Sequence, residues 1–140
     1  MSRRLFWDVV EGRAPLPPAA GLLGLRFVSL DAEAGTIEVT FDASEQLRNT
    51  AGDIQGGMLC SMLDSTLGSC AIAVLDETQW APTVELHTHF LAPARVGRIA
   101  GRARVVKRGG SVIFLTGELL QDDLVVATAT ATALVRGIRA

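Results

Sequence analysis

The chain has no tyrosine, an aromatic content of 5%, two cysteines, and no excess of either charge, with 13 Lys plus Arg against 15 Asp plus Glu. Each scarcity closes off a class of function. Without a basic excess or rings on which bases could stack, a nucleic-acid-binding domain is not expected. Cys60 and Cys70 stand ten positions apart within one apolar run. On a helix their Cα atoms would lie about 15 Å apart along the axis, beyond the reach of a disulfide. No CxxC, HExxH, GxSxG, P-loop or GxGxxG pattern occurs, so serine-hydrolase, NTPase and dinucleotide readings lack a motif. Internal repeats and low-complexity tails are also missing.

What is present is 140 residues with 49% hydrophobic and 20% charged content. That length buries roughly two thirds of the surface its unfolded chain exposes, so one domain over residues 1–140 needs neither metal nor disulfide to be stable. Residues 1–23 read as a short helix, presenting Leu5, Phe6, Val9 and Val10, and a proline-rich lead-in around Pro15, Pro17 and Pro18. Ser2-Arg3-Arg4-Leu5-Phe6 has the look of a twin-arginine signal, but Asp8, Glu11 and Arg13 interrupt any apolar segment behind it. The run from Met58 to Leu75 carries Ser61, Asp64, Ser65, Thr66 and Ser69, which fits a buried central helix better than a membrane span. A cytoplasmic protein with no membrane partner is the expectation.

The order of elements follows from period and punctuation. Leu25 to Leu30 and Thr36 to Phe41 are β-type runs joined by Asp31-Ala-Glu-Ala-Gly35. A polar stretch over 42–54 leads into a helix expected over about 55–76. Four period-two runs follow: Thr83 to Leu91, Arg98 to Val106, Ser111 to Leu120 and Leu124 to Val135, with short polar or glycine-containing breaks between them. Strands do not alternate with helices, so a doubly wound parallel sheet is not expected. A single long helix, apolar almost all round, must be enclosed on most sides, and one curved antiparallel sheet of about six strands can wrap it. This α+β arrangement is the hotdog fold.

Asp64 is the only charged residue between Asp53 and Asp76. A carboxylate there reaches solvent, pairs with a cation, or has a perturbed pKa and a task. Gly56-Gly57 at the helix start leaves backbone N–H groups unshielded, and the positive end of the helix suits a developing oxyanion. Loop flexibility is the other use of two glycines.

The segments Asn49-Thr-Ala-Gly52-Asp-Ile-Gln55-Gly56-Gly57-Met-Leu-Cys-Ser-Met-Leu-Asp64 and Thr83-Val-Glu-Leu-His-Thr-His-Phe-Leu-Ala-Pro93 resemble the PaaI-like branch of hotdog acyl-CoA thioesterases. The resemblance runs over about residues 24–135. It implies hydrolysis of a small aromatic or short- to medium-chain acyl-CoA, with Asp64 as nucleophile or general base. It also implies that the Gly56 N–H polarises the thioester carbonyl, and that Asn49 and Thr83 help place the water or the carboxylate. Gln55 stands where many members have His, and Ala92 where relatives often carry Arg. A Gln donates a hydrogen bond but does not shuttle protons at ordinary pH. No cofactor is implied beyond the CoA of the substrate.

Thioester hydrolysis asks for little general-acid help, because a thiolate leaves readily. Gly56 and Asp64 are eight residues apart, about 12 Å along a helix axis. The two groups of one chain should therefore not meet on one carbonyl. A site shared between subunits of a homo-oligomer, a dimer or a homotetramer built as a dimer of dimers, would bring them together. Basic residues gather over 95–108, where Arg95, Lys107 and Arg108, with Gly57 and Gly109, are candidate CoA contacts; a charge-protected edge strand is the other reading. Glu85, His87 and His89 alternate onto one strand face, and a solvated or interface face is favoured over a metal site. Two further readings stay open: a hotdog hydratase or dehydratase, which wants a histidine beside the carboxylate, and a non-catalytic acyl- or aromatic-ligand-binding hotdog protein.

Overall fold

The computed structural model describes residues 3–138. The elements in chain order are α1 (Arg3–Val10), α2 (Pro18–Leu22), β1 (Leu25–Asp31), β2 (Thr36–Ala43), a 3-10 turn (Glu45–Leu47), α3 (Gly56–Ala73), β3 (Gln79–Trp80), β4 (Thr83–Phe90), β5 (Gly97–Arg108), β6 (Val112–Gln121), β7 (Leu124–Leu134) and β8 (Arg136–Gly137). Six strands form one antiparallel sheet in the order β1-β2-β5-β6-β7-β4, and β3 pairs with β8 in a separate ribbon. The expected hotdog architecture is present, with α3 packed against all six strands of that sheet.

Alternation decides which side of the sheet meets the helix. Ile37, Val39 and Phe41 of β2, Ile99 and Ala103 of β5, Ile113, Leu115 and Leu119 of β6, and Ala127, Ala129, Ala131 and Ala133 of β7 are buried. They meet Leu59, Met62, Leu63, Leu67, Cys70 and Ala71 of α3 in one core. Each large aliphatic side chain buried there contributes about 1.5–3 kcal/mol. The sheet comes close at Gly101, where an added Cβ would stand 2.7 Å from Thr66 Oγ1 and 2.9 Å from Val39 Cγ2. Thr66 is itself fully buried, and its hydroxyl donates to the Met62 carbonyl at 2.8 Å. A β-branched hydroxyl can lie there because the opposing strand has no side chain to offer.

Two features depart from the sequence expectation. Helix α3 ends at Ala73, before the expected 76, its last turn closing through Val74 and Leu75 N–H bonds to the Ala71 and Ile72 carbonyls. Pro18 opens a short helix where an extended lead-in was expected, since proline is compatible with a first helical turn. The helix is enclosed on most sides, as expected, but not on all: Gly57, Ser61 and Asp64 are exposed and Gly68 and Ile72 only partly covered. Their spacing of i, i+4, i+7 traces one open stripe along α3.

Candidate active site

The start of α3 is held by its neighbours rather than by a capping side chain. Ile54 N–H donates to the Ala94 carbonyl at 2.8 Å and Gln55 N–H to the Leu47 carbonyl at 2.8 Å. The Gln55 carbonyl takes the N–H groups of Met58 and Leu59, and its side chain makes no cap bond. Among the described residues, no acceptor is found for the N–H of Gly56 or Gly57. These two donors sit at the positive end of an 18-residue helix. Asn49 is spent on the loop just before it: its Oδ1 accepts from Ala51 N–H at 2.9 Å and Asp53 N–H at 3.2 Å.

Strand β4 is one edge of the sheet, and its contacts with α3 run in the opposite sense along the chain. At one end Phe90 lies against Gly56, where an added Cβ would be 3.2 Å from the ring. In the middle the Cys60 thiol lies 3.6 Å from Thr88 Oγ1. At the other end a groove of about 370 Å3 is lined by Cys60, Ser61 and Asp64 of the helix and Thr83, Val84, Glu85 and Leu86 of the strand. Asp64 thus shares a groove with Thr83. Gly56, at the opposite end of the contact, does not reach it.

A bulge puts Thr83 there. Leu86 pairs with Ala131 and Glu85 with Thr132, yet Thr83 pairs with Ala133, so Val84 is an extra residue in the strand. Strict alternation would give Thr83 the face of Glu85, His87 and His89. The bulge shifts it by one onto the helix-facing side and leaves Val84 exposed. His87 and His89 do share the outer face with Glu85, their rings 4.8 Å apart. No group of three or more potential metal ligands occurs among the described residues.

The candidate CoA contacts are scattered. Arg95 precedes β5 and pairs with Asp122 at 2.8 Å. Lys107 and Arg108 end that strand, so about 3.3 Å per residue puts them over 30 Å from Arg95 along an extended chain. Arg108 donates to Gln79 Oε1 at 3.0 Å and also to the Gly109 carbonyl, while Gly109 N–H donates to the Val112 carbonyl at 2.8 Å. Within one chain these residues do not form a single phosphate site. The sequence reading did not single out Phe90, Cys60 or Ser61. The signal for Ser61 was available: Gly57, Ser61 and Asp64 place small and polar residues along one stripe of an apolar helix.

Comparison with known proteins agrees with this fold. The thioesterase superfamily family model matches residues 51–128, which include the helix start, Asp64 and Thr83. A Pseudomonas aeruginosa protein provisionally named an esterase is 32% identical over 127 residues, covering 88% of this chain and 94% of that one. The crystal structure of a phenylacetic acid degradation-related protein from Ralstonia eutropha JMP134 superposes with a TM-score of 0.89 at 41% identity, covering 92% of this chain and 98% of that chain. Escherichia coli PaaI, from the phenylacetic acid degradation operon, shares the fold with a TM-score of 0.82 at 21% identity, covering 98% of this chain and 97% of that chain. The chain belongs to the thioesterase superfamily, and its structural neighbours are PaaI-like proteins.

Proposed function

We propose that this thioesterase hydrolyses acyl-CoA at a site completed by two copies of the chain. The observation that carries the reading is the opposite placement of donor and carboxylate along one antiparallel contact: Gly56 at the Phe90 end, Asp64 at the Thr83 end. Strand β4 is an unpaired edge, with Val84, Phe90 and the following Leu91 more than half exposed. Such an edge is a pairing site for a second copy. Two β4 strands paired antiparallel about a two-fold axis bring the Thr83 end of one to the Phe90 end of the other. Asp64 then faces Gly56 of the partner subunit across the open helix stripe, which the partner's α3 covers. Two such sites form per dimer, and a dimer of dimers repeats them.

In this site the partner's Gly56 N–H, with Gly57 beside it, donates to the thioester oxygen and stabilises the negative charge that builds there. Asp64 either attacks the carbonyl carbon, giving an anhydride that water then opens, or takes a proton from the attacking water. In both routes the C–S bond breaks, the acyl group gains the oxygen of water and CoA leaves as a thiolate. Thr83 stands beside Asp64 to orient it. Gln55 flanks the donors and can only donate or accept a hydrogen bond. Asn49 acts by fixing the loop that delivers the helix, as its bonds to Ala51 and Asp53 support. Arg95, Lys107 and Arg108 offer phosphate contacts at the two ends of β5, for different subunits of the assembly. Unpaired thiols at Cys60 and Cys70 fit a reducing, cytoplasmic setting.

The test is release of free thiol from a panel of aryl, short-chain and medium-chain acyl-CoA substrates with no metal or cofactor added. Catalytic release of CoA from one class supports the reading. Saturable binding of acyl-CoA without thiol release would indicate a ligand-binding protein instead.

A further inference from the structure

Phe90 occupies an unusual position for a large apolar residue. Its register partner is Ala127, so it stands on the helix-facing side of the sheet, yet it is 54% exposed. It takes the last position of the edge strand, where the ring lies against Gly56 at the start of α3. Three atoms of the ring, Cζ, Cε1 and Cε2, lie 3.2–3.5 Å from where a Gly56 Cβ would be, whereas a Cβ at Gly57 would meet nothing within 4 Å. One side of the pair of free N–H donors is therefore walled by an aromatic ring and the other is open.

The wall is also held in place. Leu91 and Ala92 N–H both donate to the Val126 carbonyl, at 2.8 and 3.2 Å, and the Ala94 carbonyl accepts from Ile54. The buried Gln121 amide clamps the backbone of Arg95, accepting from its N–H at 2.8 Å and donating to its carbonyl at 2.8 Å. The backbone after Phe90 is thus fixed to the sheet and to Ile54, two residues before the helix begins.

We infer that Phe90 is a specificity-determining residue that limits bulk at the acyl α-carbon. The inference rests on the proposed role of Gly56. A carbonyl oxygen hydrogen-bonded to the Gly56 N–H has its carbon about 1.2 Å further out, so the first acyl carbon lies within van der Waals reach of the ring. A methylene group at that carbon slides past the flat face, and a branch collides with it. Phe90 touches the acyl group without taking part in bond making.

The experiment compares kcat/KM for a straight acyl-CoA accepted by the wild type with that for its α-methyl derivative, butyryl-CoA against 2-methylbutyryl-CoA being one such pair. Phe90→Ala should raise the branched-to-straight ratio by about tenfold or more, the usual value of a single methyl group in a fitted pocket. Phe90→Leu should raise it less and is read alone if Phe90→Ala fails to fold. A merely structural role would lower both constants together and leave the ratio unmoved. A ratio within twofold of wild type, in a folded variant of unchanged assembly mass, would overturn the inference while leaving the thioesterase reading intact. Absence of turnover by the wild type on the whole panel would overturn both. Gly56→Ala provides a second measure: its loss of activity should be smaller in the Phe90→Ala background, and equal loss in both backgrounds would show that the ring does not bear on Gly56.

Discussion

Asp64 stands in solvent on an otherwise apolar helix because it falls on the same stripe as Gly57 and Ser61, away from the side that packs on the sheet. Desolvation is not what keeps it there, and no described ion pair holds it. A structural carboxylate in that position can be lost cheaply, and a reacting one cannot. Asp64→Asn keeps the shape of the side chain and should leave the melting temperature near that of the wild type while lowering kcat by about a hundredfold or more. Near-normal turnover by a folded variant would remove Asp64 from the chemistry. Cys70 is the opposite case, a titratable group with no solvent. Burial raises its pKa from 9.0 to about 11, against a smaller lowering by the Val105 backbone hydrogen bond. The folded chain therefore holds the thiol proton more tightly than the unfolded chain, and stability should fall as pH rises from about 9 towards about 11. Below pH 9 this contribution is fully present. Denaturant midpoints measured across that range should decline less steeply for Cys70→Ala than for the wild type; parallel slopes would show that Cys70 does not titrate differently in the two states. At this scale Asp64 and the Gly56-Gly57 pair were legible, since an isolated charge and paired glycines interrupt an apolar run visibly. Phe90 was not, because a phenylalanine ending a strand reads as core until its neighbours are known.

Helix α3 and its sheet set the site through close packing. The contact is tightest where Thr66 fills the space above Gly101, so Gly101→Ala should force the helix outward. The expected cost is about 1–3 kcal/mol, the range for overfilling a packed core, read from urea unfolding. A smaller change, with unaltered activity, would mean that the helix has room to move. The β-runs and the helix were legible from period and punctuation, to within three residues at their ends. The two-residue strands of the β3–β8 ribbon carry no periodic signal. The bulge at Val84 was equally hidden: Thr83-Val-Glu-Leu-His alternates without a break, and only the pairing partner Ala133 shows that one residue is extra. The role of Thr83 thus came from the resemblance, and its face could not have come from alternation.

At the scale of the whole molecule, the single chain leaves two things unfinished, an edge strand without a neighbour and a helix stripe without a cover. Both lie on the same side, and in the proposed dimer one two-fold axis completes both. The helix rise already separated Gly56 from Asp64 by about 12 Å; what the sequence could not supply was the antiparallel run of β4 along α3, which decides that an antiparallel β4 pair exchanges the two ends. The most direct test of this account is subunit complementation. Asp64→Asn subunits and subunits with Gly56 replaced by a bulky residue are each purified inactive, then mixed under conditions in which labelled subunits are shown to exchange. A dimer holding one of each has one site with both defects and one with neither, so acyl-CoA hydrolysis should reappear, approaching a quarter of the wild-type rate per subunit when random exchange makes half of the dimers mixed. Demonstrated exchange with no recovery of activity would contradict a site shared between subunits.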